Sequence, residues 1–139
     1  MIVTILNKIL GTFYLKIRYS YCILIGNVRL VDDIGNPVVE NSGILQMFTA
    51  PPCSHIKEWR YVCDDEFDLN TNGPNVACKE LGYIGGTQHD ATVQGHWVYW
   101  DDVQCSGSEN SLADCERPDP LTCGVYEAVK LTCTGTTDN

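Results

Sequence analysis

Hydrophobic and polar positions alternate over several short segments of this chain, which is the pattern of strands that bury one face. In EWRYVC, Trp59, Tyr61 and Cys63 share one face, and Arg60 and Val62 share the other. Further β-type runs are VRLV, GILQMF, HWVYWDDV and VYEAVKLTC. The pattern predicts a domain composed mainly of short strands separated by turns.

One segment has the pattern of a helix. In GPNVACKELG, Pro74 suits the first turn of a helix and Gly82 suits its end. Ala77 and Leu81 lie four positions apart and therefore share a face, beside Cys78. A helix of about two turns is too short to be stable alone. We therefore expect that packing and Cys78 hold it in place.

The first 26 residues differ in composition from the rest of the chain. They are apolar and basic, with Lys8, Lys16 and Arg18 and no acidic residue. The longest charge-free apolar stretch begins in this segment, covers residues 19–28, and is about half as long as a membrane-spanning helix requires. Two interpretations stay open for residues 1–26: a signal or anchor segment, or a leader that belongs to a fragment of a larger protein.

Eight cysteines are dispersed along the chain, at Cys22, Cys53, Cys63, Cys78, Cys105, Cys115, Cys123 and Cys133. None of them forms the close C-x-x-C pair that zinc sites favour. An even number of dispersed cysteines in a small chain indicates a disulfide framework, and hence an oxidising, extracellular compartment. Buried free thiols in a cytosolic protein are the alternative. The spacing leaves the pairing open.

Charge is unevenly distributed along the chain, whose formal net charge is −9. All 18 acidic residues follow residue 27, and only six of the nine basic residues do, so this part carries a net charge of −12. Such a surface repels nucleic acid and anionic membranes. It suits cations, basic partners, or anionic partners that are bridged by a metal ion.

The acidic residues include a candidate metal site. Asp64 and Asp65 follow a strand pattern where it breaks into a turn, so both carboxylates can face one ion. Asp101 and Asp102 form a second pair, and Glu127 lies four residues after Cys123. Clustered carboxylates repel one another unless a cation joins them. Oxygen ligands in a flexible arrangement favour Ca²⁺, with Mg²⁺ as the alternative ion.

An enzymatic use of the same residues is the competing interpretation. Glu127 together with an aspartate has the composition of an acid–base pair of the kind used in glycoside hydrolysis. No nucleophile motif, glycine-rich phosphate loop or H-E-x-x-H motif accompanies them. We therefore expect that this chain is not an enzyme.

The ordered motifs WRYVCDDEFDLN, NVACKELGY, WDDVQCSGSENSLADC and a final C-x9-C resemble the scavenger receptor cysteine-rich (SRCR) domain. The resemblance covers residues 27–134, and it leaves residues 1–26 as a separate segment and residues 135–139 as a tail. It implies a small α+β fold, in which a curved antiparallel β-sheet cradles one α-helix. It also implies three disulfides, Cys63–Cys123, Cys78–Cys133 and Cys105–Cys115.

The cysteine count places the chain near one subgroup of that family. Tyr83 stands where eight-cysteine members have a further cysteine, so the resemblance is to the six-cysteine, group A-like subgroup. Cys22 and Cys53 are then two extra cysteines without family counterparts. They either bond each other, stay free, or pair with another chain.

The resemblance also implies two cation sites. In the family, aspartates after the first cysteine and a glutamate four residues after the penultimate cysteine hold a cation. These correspond to Asp64, Asp65 and Glu127, which the implied Cys63–Cys123 bond brings together. The second site would use Asp101 and Asp102. The asparagine that completes it in the family is replaced here by Thr122, which is a weaker ligand.

These features together predict an extracellular ligand-binding module, either secreted or on the outer face of the plasma membrane. The expected ligands are polyanionic, glycan, microbial or protein ligands, bound through Ca²⁺. Nucleic acid is not expected, and membrane contact is expected only through an N-terminal anchor or a larger parent chain. The alternatives are a metal-independent protein–protein adhesion module and a non-catalytic domain of a larger secreted enzyme or receptor.

Overall fold

A computed structural model describes residues 27–49, 56–67, 69–94, 98–117 and 123–136. These ranges contain six strands and one α-helix: β1 (Asn27–Val31), β2 (Ser42–Thr49), β3 (Glu58–Val62), α1 (Asn72–Glu80), β4 (Tyr83–Ala91), β5 (Val98–Trp100) and β6 (Ala128–Thr136). The segment 1–26, both extra cysteines Cys22 and Cys53, and Thr122 lie outside the described residues. No helix in the described ranges has the length and apolar composition that a membrane span requires.

The six strands form one sheet around β2. Strand β2 pairs antiparallel with β1 on one edge, and with β6 and β3 on successive parts of the other edge. Strand β4 extends the sheet beyond β6, also antiparallel. Strand β5 pairs with β3 in the parallel direction, so one edge of the sheet departs from the antiparallel pattern. The predicted α+β class, with one helix against a curved and largely antiparallel sheet, is confirmed.

The sheet buries apolar side chains on both of its faces. One face packs with α1, where Leu45, Met47 and Val62 meet Val76 and Ala77 of the helix. The other face is covered by loops and holds a smaller cluster, formed by Val31, Ile44, Tyr61, Cys63, Val93 and Ala128. Two buried faces explain why the runs of β1 and β2 contain consecutive apolar residues rather than strict alternation.

Strand β4 is absent from the sequence prediction, and glycine is the reason. Its sequence YIGGTQHDA contains two glycines and several polar residues, which argue against a strand. A Cβ on Gly86 would lie 2.5 Å from the Sγ atom of Cys78 and 2.7 Å from the carbonyl oxygen of Thr132. The glycine therefore permits α1 to approach the sheet closely, and it does not mark a turn.

The structure contains the three disulfides that the family resemblance implied. Cys78–Cys133 joins α1 to β6, and Cys63–Cys123 joins the end of β3 to the segment before β6. Cys105–Cys115 closes a loop with a sequence separation of 10. Each bond restricts the unfolded chain and typically contributes about 2–4 kcal/mol. Because Cys22 and Cys53 lie outside the described residues, their pairing stays a prediction.

Candidate cation-binding site

The pairing of β3 with β5 brings both aspartate pairs to the same end of the sheet, where these two strands terminate. Asp64 and Asp65 follow the end of β3, and Asp101 follows the end of β5. Because the two strands are parallel neighbours, their C-terminal ends lie at the same end of the sheet. The N–H of Cys63 donates to the carbonyl oxygen of Trp100 at 2.9 Å and extends the pairing to this point. As a result, carboxylate oxygens of Asp65 and Asp101 lie within 4.8 Å of each other.

Glu127 lies at the same end of the sheet, in the segment that precedes β6. The backbone N–H of Asp64 donates to the carbonyl oxygen of Glu127 at 2.8 Å, and Cys63 forms a β-bridge with Ala128. The Cys63–Cys123 disulfide holds the start of the same segment. The sequence does not predict this backbone pairing. The pairing and the disulfide together hold Glu127 beside Asp64.

Three carboxylates converge at this point. Oxygens of Asp64, Asp65 and Glu127 all lie within 4.8 Å of one another, and all three side chains are half-buried. Two oxygens on opposite sides of one Ca²⁺ are about 5 Å apart, because each Ca²⁺–oxygen distance is about 2.3–2.6 Å. The Glu127 carboxylate also accepts a hydrogen bond from the N–H of Gly124, which orients it. The cluster therefore has the composition and spacing of a Ca²⁺ site.

The cluster carries electrostatic repulsion that a cation would relieve. Partial burial, and after it the negative charges of Asp90, Asp65 and Glu127, together raise the pKa of Asp64 to about 6. A divalent cation beside Asp64 would offset this repulsion and favour the ionised form of every carboxylate in the cluster.

Asp90 is the residue of this region that sequence reasoning missed. It lies near the end of β4, opposite Val129 of β6, and it faces Asp64. Its place depends on β4, whose two glycines conceal the strand. The available signal was the polar end of that segment, QHDA, which by itself resembles a loop.

The two aspartates of the second predicted site, Asp101 and Asp102, lie in different surroundings. Asp101 is only 6% exposed, and its Oδ1 accepts a hydrogen bond from the N–H of Asp102 at 2.9 Å. Within the described ranges, Asp102 belongs to no group of three His, Cys, Asp or Glu side chains close enough to share an ion. The structure therefore places Asp101 beside Asp65 of the first site. Thr122 lies outside the described residues, and the second site stays a prediction.

We expect Asp64→Asn to raise the melting temperature of the calcium-free protein at pH 7. The pKa of Asp64 is about 6 in the folded state and 3.8 in its unperturbed state, so the folded protein binds more protons between these values. The wild type consequently loses stability as the pH rises through this window, and the substitution removes that loss. At pH 3.5 Asp64 is protonated in the folded state and mostly protonated in the unfolded state, so the difference should become small.

Thermal unfolding in a chelating buffer from pH 3.5 to 7.5 measures this effect. Asp114→Asn removes an equivalent charge at an exposed position and serves as the control. A gain in melting temperature that is equal in both variants, or equal at all pH values, would contradict the assignment.

Comparison with known protein families gives a match over most of the chain. The model of one family, described as the scavenger receptor cysteine-rich domain, matches residues 38–134. A crystal structure of the dimeric form of the SRCR domain of mouse MARCO superposes with a TM-score of 0.55 and 27% sequence identity. This superposition covers 67% of the present chain and 86% of that domain.

Several curated proteins are also similar in sequence. The egg peptide speract receptor of Strongylocentrotus purpuratus is 32% identical over 117 residues, which are 78% of this chain and 19% of the receptor. Macrophage receptor MARCO of Mus musculus is 41% identical over 61 residues, or 43% of this chain and 11% of that protein. Lysyl oxidase homolog 2A of Danio rerio is 42% identical over 62 residues, or 42% and 8%. The chain therefore spans less than a fifth of the length of these relatives.

Proposed function

The chain belongs to the scavenger receptor cysteine-rich family, and from this premise we propose that it is an extracellular ligand-binding module that acts through a bound Ca²⁺. One observation carries the proposal: carboxylate oxygens of Asp64, Asp65 and Glu127 converge within 4.8 Å. Mg²⁺ is the alternative ion, although it demands a more regular octahedral geometry than three flexible carboxylates favour.

The open coordination positions of this ion are where a ligand would bind. Ca²⁺ takes six to eight oxygen ligands, and three carboxylates leave several positions for oxygens from elsewhere. Sulfate, phosphate and carboxylate groups supply such oxygens. The acidic part of the chain carries a net charge of −12 and would repel these groups without a cation. A bridging Ca²⁺ thus reconciles an acidic domain with anionic ligands such as sulfated glycans or microbial surfaces.

Location and ligand class follow from the disulfides and the relatives. Three disulfides within one small domain favour an oxidising extracellular compartment. Two of the relatives are receptors by name, one of macrophages and one for an egg peptide, and from them we extend to this chain only a role in ligand binding. The similarity to the lysyl oxidase homologue concerns 8% of that protein, and we propose no catalysis for this domain.

Binding to a sulfated polymer tests the proposal. We expect the full chain to bind immobilised dextran sulfate in millimolar Ca²⁺, to be released by excess EDTA, and to rebind when Ca²⁺ is restored. Unsulfated dextran is the matched control and should not retain the protein. Retention that is insensitive to EDTA, or equal on both polymers, would exclude a calcium bridge as the mode of binding.

A further inference from the structure

An exposed aromatic ring lies next to the candidate cation site in the chain. Tyr126 directly precedes Glu127, and it is 72% exposed. Within the described residues, the Tyr126 side chain forms no hydrogen bond, ring contact or ion pair. Folding therefore gives this ring no partner inside the domain and leaves it accessible to a ligand.

The backbone on both sides of Tyr126 is fixed. The N–H of Glu127 donates to the carbonyl oxygen of Gly124 at 3.2 Å, so Val125 and Tyr126 form the corner of a turn. The N–H of Val93 donates to the carbonyl oxygen of Val125 at 2.8 Å, and Val125 packs against the smaller apolar cluster. Glu127 is held by its backbone pairing with the end of β3. Tyr126 is thus the exposed corner of a turn that is anchored before and after it.

This combination of a fixed backbone and an exposed ring favours ligand contact. A side chain whose backbone is already ordered loses little conformational entropy when a ligand binds, and tyrosine has only two side-chain torsions that matter. Tyrosine also offers a large flat apolar surface, which is why it is enriched at binding surfaces. The position has the construction of a platform on which a flat group stacks.

A sugar ring that carries an anionic substituent fits both the ring and the ion. Neighbouring Cα atoms are about 3.8 Å apart, so the Tyr126 ring and the Glu127 carboxylate extend from adjacent points of the chain. A pyranose ring has an apolar face of C–H groups, and its sulfate or carboxylate substituents project from the rim. The substituent supplies the oxygen that Ca²⁺ requires, and the apolar face packs on an aromatic ring. An isolated sulfate or phosphate group offers the aromatic ring nothing to pack against.

We propose that Tyr126 stacks on a sugar ring whose anionic substituent coordinates the bound Ca²⁺, so that the module selects acidic glycans among anionic polymers. The inference rests on the calcium-dependent function proposed above and narrows its ligand class. The three carboxylates hold the ion, and Tyr126 determines the specificity for sugar.

Biolayer interferometry on the full chain in millimolar Ca²⁺ tests this proposal with two immobilised polymers. Dextran sulfate carries its sulfate groups on sugar rings, and polyvinyl sulfate carries them on a chain without rings. We expect Tyr126→Ala to weaken binding to dextran sulfate about tenfold, and to keep its affinity for polyvinyl sulfate within about twofold of the wild type. Tyr126→Phe keeps the ring and should bind dextran sulfate as the wild type does. Calorimetry should show an unchanged Ca²⁺ affinity for Tyr126→Ala, because the carboxylates are intact.

Ile84→Ala is the matched control, because Ile84 is also exposed, at 61%, and lies at the opposite end of β4 from Asp90. It should leave binding to both polymers unchanged. Three results would overturn the proposal: full binding of dextran sulfate by Tyr126→Ala, equal losses on the two polymers, or a loss of Ca²⁺ affinity in Tyr126→Ala. An equal loss in Tyr126→Phe would also overturn it, since the ring would then not be the contact. A wild type that binds neither polymer would instead refute the calcium bridge itself, and with it this inference.

Discussion

Glu127→Gln is expected to weaken Ca²⁺ binding about a hundredfold or more. The substitution removes one of three negative charges from the cluster, and the number of charged ligands strongly affects Ca²⁺ affinity. Glutamine keeps a side-chain oxygen that can accept the hydrogen bond from the N–H of Gly124, so the segment before β6 should retain its conformation. Isothermal titration calorimetry with Ca²⁺ measures the loss directly.

Matched substitutions make this result specific to the site. Asp65→Asn should produce a loss of similar size, because its carboxylate belongs to the same cluster. Glu116→Gln changes the same chemical group at an exposed position outside the cluster and should leave the affinity unchanged. Circular dichroism and thermal unfolding establish that each variant is folded. Unchanged Ca²⁺ binding by a folded Glu127→Gln protein would refute the site.

Cys63→Ala/Cys123→Ala is expected to lower the free energy of unfolding by about 4 kcal/mol and to weaken Ca²⁺ binding about tenfold. The loss of stability follows from the sequence separation of 60, since a longer closed loop restricts the unfolded chain more. The loss of affinity follows from the position of the bond at the start of the segment that carries Glu127. It should stay partial, because the hydrogen bond from Asp64 to Glu127 remains. Urea unfolding and calorimetry measure the two effects.

Cys78→Ala/Cys133→Ala is the control for this experiment. Its sequence separation of 55 predicts nearly the same loss of stability, also about 4 kcal/mol. The bond joins α1 to β6 and contacts none of the three carboxylates, so the Ca²⁺ affinity of the folded variant should be unchanged. If both variants lost affinity equally, Cys63–Cys123 would have no separate role in assembling the site.

Local sequence patterns were sufficient for most strands and for the helix. Alternation in EWRYVC predicts β3, and the runs VRLV and GILQMF predict β1 and β2. Pro74 and Gly82 bracket α1, although the helix begins two residues earlier, at Asn72. These signals are local, because a strand or helix that buries one face must repeat its apolar residues at that period. The disulfide pairing, in contrast, came only from resemblance to a family.

The composition of the candidate site was also visible in the sequence, but its geometry was not. Asp64, Asp65 and Glu127 were selected from motifs, and their carboxylates do converge. The sequence assigns Asp101 to a separate site, whereas the parallel pairing of β3 with β5 places it beside Asp65. Strand pairing joins residues that are distant in the chain, and no local pattern specifies which two strands will pair.

The amino-acid sequence by itself therefore determined most of the short strands, the helix and the acidic charge, because each depends on neighbouring residues or on simple counts. Resemblance to a family added the grouping of three carboxylates. Only the tertiary structure decided that Asp90 faces Asp64. The position of Asp90 depends on β4, whose Gly86 is required by contact with Cys78 of α1 rather than by its own strand. Packing between distant segments, and not local propensity, placed these residues.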